Sequence, residues 1–230
     1  MQLDFTEFQN RAGVSFKDEV LLTQAFVHRS YINENKTSGL SHNERLEFLG
    51  DAVLELVITN FLYKKYPEKT EGDLTAYRSS LVNATTCSDI ATKLGMNEYL
   101  LLSKGESKDN GRARQYILAN TLEAFIGAVY LDGGYDTAKV FIEREFTPLI
   151  EGIISAGSWI DAKSLFQEKA QEFDGITPSY KTMKETGPDH DKKFTVGVYV
   201  GRDLIATGEG DSKQDAEQSA AREALKVRGW

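Results

Sequence analysis

Cysteine is nearly absent from this 230-residue chain, which contains a single one, Cys87. One thiol cannot form a disulfide within the chain, so a disulfide framework is excluded and the composition suits a reducing cytosol. Because Cys87 lies in a segment with a helical pattern, we expect it to be a small buried hydrophobic residue.

Long apolar runs are also missing. The N-terminus lacks a basic region followed by an apolar stretch, and no run in the sequence is long enough to span a bilayer. We therefore expect a soluble, cytoplasmic protein with no membrane partner.

A surplus of positive charge is absent too. The formal net charge is -8 and the sequence pI is about 5.1. There are 16 basic and 22 acidic residues up to residue 160, and 11 basic and 13 acidic residues after it. Neither part is basic overall, so any surface for a polyanion must be a local patch.

The spacing of apolar residues divides the chain into two parts. Up to about residue 150 it follows the helical period, over Val20 to His28, Glu44 to Tyr66, Glu71 to Leu94, Tyr116 to Leu131 and Asp136 to Ile154. Residues 152–160 are a linker candidate. Beyond them, two helical segments, Asp161 to Phe173 and Ser212 to Val227, flank three alternating ones, Ser179 to Glu185, Lys193 to Val200 and Asp203 to Glu209. The sequence predicts an all-α domain over residues 1–151 and a small α+β domain, α-β-β-β-α, over residues 161–230.

Three carboxylates stand out in the first domain. Glu44, Glu47 and Asp51 lie within an arc of roughly 60° on one helix face, at about 100° per residue. Charge runs are usually solvated faces, and for an ordinary acidic helix that reading is the better one. These three, however, lie within a strongly apolar run, where burial of carboxylates calls for a compensating positive charge.

A second helix strengthens the case for a bound cation. Tyr116 to Leu131 is almost uniformly apolar, and its only strongly polar side chains are Asn120 and Glu123, three residues apart. Small residues such as Gly127 would let another helix approach closely. Two buried helices with oxygen ligands and no nearby His or Cys suit Mg²⁺ or Mn²⁺ better than Zn²⁺.

These residues match a known family. The stretch Asn43 to Val53, NERLEFLGDAV, closely resembles the signature of ribonuclease III, and Tyr116 to Asp132 resembles that family's second catalytic helix. The likeness extends over essentially the whole chain. It implies an all-α endonuclease domain followed by a double-stranded RNA-binding domain, in a homodimeric, Mg²⁺-dependent enzyme in which Mn²⁺ can substitute and no small-molecule cofactor takes part. The expected reaction cuts both strands of an RNA duplex to 5′-phosphate and 3′-hydroxyl ends, in ribosomal and messenger RNA processing.

The resemblance also implies a role for particular residues. The expected metal ligands are Glu47, Asp51, Glu123 and the side-chain oxygen of Asn120, and the expected catalytic residues are Asp51, Glu123 and Glu44. Glu44 ends the acidic stripe, so it is better suited to orient the site or face a partner than to ligate the metal directly. Phe48 resembles the aromatic residue that fills a socket in the partner subunit.

Three places carry the likeness to the RNA-binding domain. Gln167 and Glu168 lie where the family's first helix meets a minor groove, although on spacing alone they would be ordinary surface residues. His190, in the loop that begins at Gly187, can enter the next minor groove. Ser212, Lys213 and Gln214 open the last helix, where Ser212 can cap and Lys213 can hold a phosphate.

Two positions depart from the family pattern. Asn120 stands where aspartate is usual, which leaves three ligand charges instead of four and predicts an active enzyme with a higher metal requirement. The alternative is a weakened or disabled site, natural or engineered, in a double-stranded RNA-binding regulator or scaffold. Gln214 stands where a second lysine is common, which predicts weak RNA binding by the isolated domain. Without the family, a metal-dependent hydrolase for small phosphorylated substrates would also remain open.

Overall fold

The computed structural model describes residues 3–108, 111–156, 161–188 and 192–230. The chain forms two compact units, Met1–Trp159 and Ile160–Trp230, each with its own hydrophobic core. In the described residues the first unit is helical and the second is an α+β unit, which confirms the predicted fold class. None of the helices in these ranges is both long and apolar enough to cross a membrane.

Eight α-helices form the described part of the first unit: α1 Thr6–Ala12, α2 Glu19–Ala25, α3 Arg29–Glu34, α4 Glu44–Lys65, α5 Glu71–Leu81, α6 Ala84–Lys93, α7 Arg112–Phe146 and α8 Ile150–Ala156. Helix α8 covers the first part of the segment 152–160 that we expected as a linker, and residues 157–160 lie outside the described residues.

Polar caps decide where the middle helices begin. Thr70 and Asp73 form a reciprocal capping box at the start of α5, and the side chain of Asn83 accepts a hydrogen bond of 3.0 Å from the amide of Thr86 at the start of α6. Asn83 itself has extended backbone angles, φ -75° and ψ 164°. The single helical pattern from Glu71 to Leu94 is therefore two helices with a turn between them.

The two helices that carry the acidic residues, α4 and α7, approach each other through glycines. A Cβ atom on Gly50 would overlap the backbone carbonyl oxygen of Glu123, and one on Gly127 would overlap that of Leu46. Both glycines are buried between the helices, beside fully buried side chains such as Leu54 and Phe125. The close backbone approach fixes the register in which the polar residues of one helix face those of the other.

The N-terminus of α4 is held by buried hydrogen bonds. The side chain of Asn43, which is 3% exposed, donates to the carbonyl oxygen of Ala25 at 3.1 Å. The backbone N–H of Asn43 donates to the carbonyl oxygen of Val27 at 2.9 Å. Nearby, the His28 ring is 2.8 Å from the Ser30 hydroxyl, whose oxygen also accepts from the amide of Ser103 at 3.0 Å. His28 and Ser30 thus act as structural hydrogen-bonding residues.

The second unit contains α9 Ala162–Asp174, β1 Ser179–Thr186, β2 Lys193–Val200, β3 Asp203–Gly210 and α10 Lys213–Arg228. The strands form an antiparallel sheet in the order β1-β2-β3. The core of this unit joins Phe166 of α9, Val198 of β2 and Ala220 of α10, all fully buried, so both helices contribute to a core shared with the sheet.

Candidate active site and RNA-binding surface

The acidic stripe on α4 lies beside the polar residues of α7. Glu44 and Glu47 are half-buried and Asp51 is exposed. Glu123 of α7 is also half-buried, and its backbone contacts that of Gly50 in α4. The side chain of Asn120, one turn before Glu123, forms a hydrogen bond with Glu47. The structure therefore brings together the residues that the sequence proposed as metal ligands.

Burial and neighbouring negative charge raise the pKa of two carboxylates in this cluster, Glu123 and Glu47. Burial, followed by the nearby charges of Asp51 and Glu47, raises the pKa of Glu123 to about 7. Burial, followed by the charges of Glu44 and Asp51, raises the pKa of Glu47, and the hydrogen bond with Asn120 partly offsets this effect. Both shifts have the direction expected when negative charges are gathered with too little positive charge near them.

Glu44 has partners of its own. Its carboxylate is 3.3 Å from the Arg29 guanidinium and 3.7 Å from the Nδ1 atom of His42. In the described part of the chain, no lysine or arginine forms such a pair with Glu47, Asp51 or Glu123. Glu44 is therefore the member of the stripe whose charge the protein neutralises itself.

The donor set fits a hard divalent cation. It consists of carboxylates and one amide, with surplus negative charge and no thiolate or imidazole among them. Within the described ranges, no three His, Cys, Asp or Glu side chains are already gathered closely enough to form a complete cage. The case for a divalent cation therefore depends on the oxygen chemistry of these side chains and on the negative charge that they bring together.

The sequence did not reveal what packs behind the cluster. Cys87 of α6 is fully buried, and burial, followed by the charges of Glu123 and Asp51, raises the pKa of its thiol to about 12. The thiol is therefore neutral and forms part of the apolar wall next to Glu123. The pairing of Glu44 with Arg29 and the contact at Gly50 were also missed, since both depend on residues far apart in the chain.

An apolar stripe follows the carboxylates along α4. Phe48 is 81% exposed, and Leu56 and Tyr63, two and four turns further on, are also exposed. A large aromatic side chain that is exposed beside the acidic cluster is more typical of an interface than of a free surface.

The second unit gathers several of its predicted RNA-binding residues. Gln167 of α9 and Lys213 and Gln214 of α10 border one shallow depression. Ser212 caps α10, since its hydroxyl oxygen accepts from the amide of Asp215 at 3.1 Å. Glu168 is exposed on α9 outside the depression, and His190 lies outside the described residues.

Comparison with known proteins gives the same division of the chain. The family described as Ribonuclease-III-like matches residues 18–150, and the family described as Double-stranded RNA binding motif matches residues 162–228. Ribonuclease 3 of Borreliella burgdorferi is 46% identical over 222 residues, covering 96% of this chain and 90% of the relative. Ribonuclease 3 of Enterococcus faecalis is 45% identical over 224 residues, covering 96% of each chain.

A solved structure supports the first unit. The nuclease domain of ribonuclease III from Campylobacter jejuni, described with a flexible region involved in dimer formation, aligns with a TM-score of 0.56 and 38% identity. The alignment covers 63% of this chain and 99% of the Campylobacter jejuni chain.

A helical unit with an acidic cluster between two helices, joined to an α-β-β-β-α unit of the RNA-binding type, defines an enzyme that acts on double-stranded RNA. The chain belongs to the ribonuclease III family. It is an endoribonuclease, a hydrolase of double-stranded RNA, from a family with a divalent metal requirement.

Proposed function

We propose that the metal is Mg²⁺, with Mn²⁺ able to replace it, and that the products carry 5′-phosphate and 3′-hydroxyl ends. The observation that carries the proposal is the raised pKa of Glu47 and Glu123, which, like Asp51, form no ion pair with a basic side chain of the described residues. A divalent cation is the missing positive charge.

The ligands we assign are Glu47, Asp51, Glu123 and the side-chain oxygen of Asn120. Because the hydrogen bond between Asn120 and Glu47 uses the amide NH₂ as donor, the amide oxygen stays available for a cation. Glu44, held by Arg29, orients the end of the stripe and contributes to catalysis without ligating directly. Bound there, a divalent cation would supply charge neutralisation for the phosphate and a water of lowered pKa.

The protonation of Glu123 couples cation binding to pH. With a pKa of about 7, its carboxyl group is half protonated near neutral pH in the absence of metal. The proton must leave before the oxygen can ligate, so cation affinity rises with pH up to about pH 8.

We further propose that the first domain spans residues 1–151 and forms a homodimer through Phe48, and that residues 152–160 are a linker. The remaining part, residues 161–230, binds the RNA duplex. The residues that we assign to this binding are Gln167, Glu168, His190, Ser212, Lys213 and Gln214. We infer that the protein acts in the cytoplasm on ribosomal and messenger RNA precursors, because its relatives over most of its length are ribonuclease 3 enzymes.

One observation favours a second candidate, a double-stranded RNA-binding regulator with a weakened active site. Asn120 brings no charge to the cluster, whereas an aspartate there would add one. The retained Glu47, Asp51 and Glu123 oppose the regulator, since a scaffold has no use for a group of acids that raises the pKa of Glu47 and Glu123.

The deciding assay compares a long perfect RNA duplex, single-stranded RNA and duplex DNA, each with Mg²⁺, Mn²⁺, Ca²⁺ or EDTA. We expect cleavage of the RNA duplex alone, with Mg²⁺ or Mn²⁺, and product 5′ ends that a phosphate-dependent exonuclease degrades. Duplex binding without cleavage under any of these conditions would favour the regulator instead.

A further inference from the structure

Lysines of the second unit are held by carboxylates around the face that Gln167 and Lys213 share. The Lys213 Nζ atom is 2.8 Å from Glu185, the Lys163 Nζ atom is 2.6 Å from Glu217, and Lys193 pairs with Asp211. The acids come from three places, β1, α10 and the segment before α10. Positive charge that this face could offer to a polyanion is therefore partly cancelled inside the unit itself.

The pair of Lys163 and Glu217 is the most enclosed of these. Lys163 lies in the first turn of α9, one turn before Gln167, and Glu217 lies in α10, one turn after Lys213. Both line the depression of about 580 Å³ that Gln167, Lys213 and Gln214 also border. Their side chains are 35% and 28% exposed, and the Lys163 Nζ atom lies 5.0 Å from the centre of the Tyr180 ring.

We propose that Glu217 competes with RNA phosphates for Lys163 and thereby limits the affinity of this unit for a duplex. A carboxylate and a phosphate are alternative anionic acceptors for the same ammonium group. When RNA occupies this face, Lys163 either stays with Glu217 and contributes little, or turns to a phosphate and leaves Glu217 unpaired beside the RNA. Either course weakens binding relative to a chain without this acid. The proposal rests on the proposed function, in that Lys213 and its neighbours form the RNA-binding face.

The same helix offers a matched control. Glu223 is also a glutamate of α10, and its carboxylate is 2.7 Å from the Lys226 Nζ atom, but it lies about one and a half turns further from the helix start. It is absent from the lining of the depression. Glu223→Gln therefore changes the net charge and breaks an ion pair of similar length without touching the pair that we propose to be inhibitory.

The test is duplex binding by the full chain, measured by fluorescence anisotropy in EDTA over a range of KCl concentrations, with a gel to confirm that the RNA stays intact. We expect Glu217→Gln to tighten binding roughly three- to tenfold at about 0.1 M salt, and to steepen the slope of log K against log salt by about 0.7 to 0.9, one additional phosphate contact. Glu223→Gln should change neither quantity appreciably.

A double-mutant comparison identifies the cause. In a Lys163→Gln background, Glu217→Gln should change affinity by less than about twofold, because the lysine that it would release is gone. An equal gain in both backgrounds, or an equal gain from Glu223→Gln, would mean general charge repulsion and would overturn the proposal. A loss of affinity with Glu217→Gln, repeated with Glu217→Ala and accompanied by a lower melting temperature, would show that the pair is only structural.

Lys213→Gln separates this inference from the proposed function. A large loss of affinity with Lys213→Gln but no gain with Glu217→Gln would refute the competition while leaving the RNA-binding face in place. No loss with Lys213→Gln would place the RNA elsewhere and remove both.

Discussion

Glu123 must satisfy two opposing requirements, since the position that suits it to the ligand role we propose also makes its charge unfavourable. Glu123→Gln removes that charge and leaves the second unit untouched. We expect cleavage to fall at least about 10- to 100-fold, as for the loss of a group that holds a metal, with duplex binding preserved. A gel shift and a cleavage assay on one preparation check this, and cleavage within about tenfold of the unsubstituted chain would contradict the assignment.

The same substitution should stabilise the metal-free protein at high pH. The folded-state pKa of about 7 lies above the ordinary value of 4.5, so the folded state binds more protons than the unfolded state between these values. Stability therefore falls as pH rises through that window, and glutamine abolishes the dependence. Urea unfolding in EDTA should show Glu123→Gln more stable by about 1 to 2 kcal/mol at pH 8, after allowance for solvent screening, and equal at pH 4. Equal stabilities at both pH values would show that Glu123 is not strained by charge.

We expect Asn120 to set how strongly the proposed site attracts a cation. Asn120→Asp adds a fourth charge and removes the amide that donates to Glu47, so the metal-free cluster becomes more repulsive and cation affinity rises. We expect a lower Mg²⁺ concentration for half-maximal cleavage, a lower melting temperature in EDTA and a larger rise of that temperature with added Mg²⁺. An unsubstituted chain that is inactive at every Mg²⁺ concentration and rescued by Asp would identify a disabled site. No change in either property would remove Asn120 from the ligands.

At the scale of elements, the contact between α4 and α7 is the feature on which the site depends. Gly50→Ala would place a Cβ atom on the carbonyl oxygen of Glu123, and because the obstacle is backbone, the helices must separate. We expect a loss of about 3 kcal/mol or more in unfolding free energy by urea titration, together with reduced cleavage.

Gly152→Ala is the matched control. Gly152 is also in a helix, α8, and a Cβ atom there meets no other atom within 4 Å. Alanine should leave stability unchanged or raise it by up to about 1 kcal/mol, from helix propensity. A Gly50→Ala protein as stable as Gly152→Ala would show that the two helices have room to spare.

The bounds of several elements were predictable because local chemistry determines them. Strand β2 occupies Lys193–Val200, as its alternating pattern indicated, and α4 ends one residue before the predicted Tyr66. Where tertiary or cap effects decide, the pattern failed. Asn83 divides one apolar periodicity into two helices. The predicted gap between Leu131 and Asp136, in contrast, is confirmed, because Gly134, with φ 79° and ψ 179°, interrupts α7 there.

The candidate site divides in the same way. The helical period puts Glu44, Glu47 and Asp51 on one face of α4. Asn120 and Glu123 could be identified in α7 because they are isolated polar residues in an apolar segment. No local signal reveals that Cys87 lies behind Glu123 or that Arg29 neutralises Glu44, because each contact joins elements that only the folded chain brings together.

At the scale of the whole molecule, Phe48 is the residue through which we expect two copies to assemble. Phe48→Glu places a charge in the proposed apolar interface. In sedimentation velocity we expect a dimer for the unsubstituted chain and a monomer for Phe48→Glu. Val227→Glu is the control, since Val227 is 66% exposed and lies on α10 of the other unit. A Phe48→Glu protein that remains dimeric would place the interface elsewhere, and dissociation by both variants would indicate a nonspecific effect.

Helix α4 carries the carboxylates on one face and Phe48, Leu56 and Tyr63 on the adjoining one. If two copies meet along the second face, α4 sets the distance between the two acidic clusters. A shift of one helix along the other by one turn moves the clusters by about 5.4 Å relative to each other. The stagger between the cuts on opposite RNA strands is then fixed by which turn of α4 meets its counterpart. Geometry of assembly, and not chemistry at either cluster, would set the shape of the product ends.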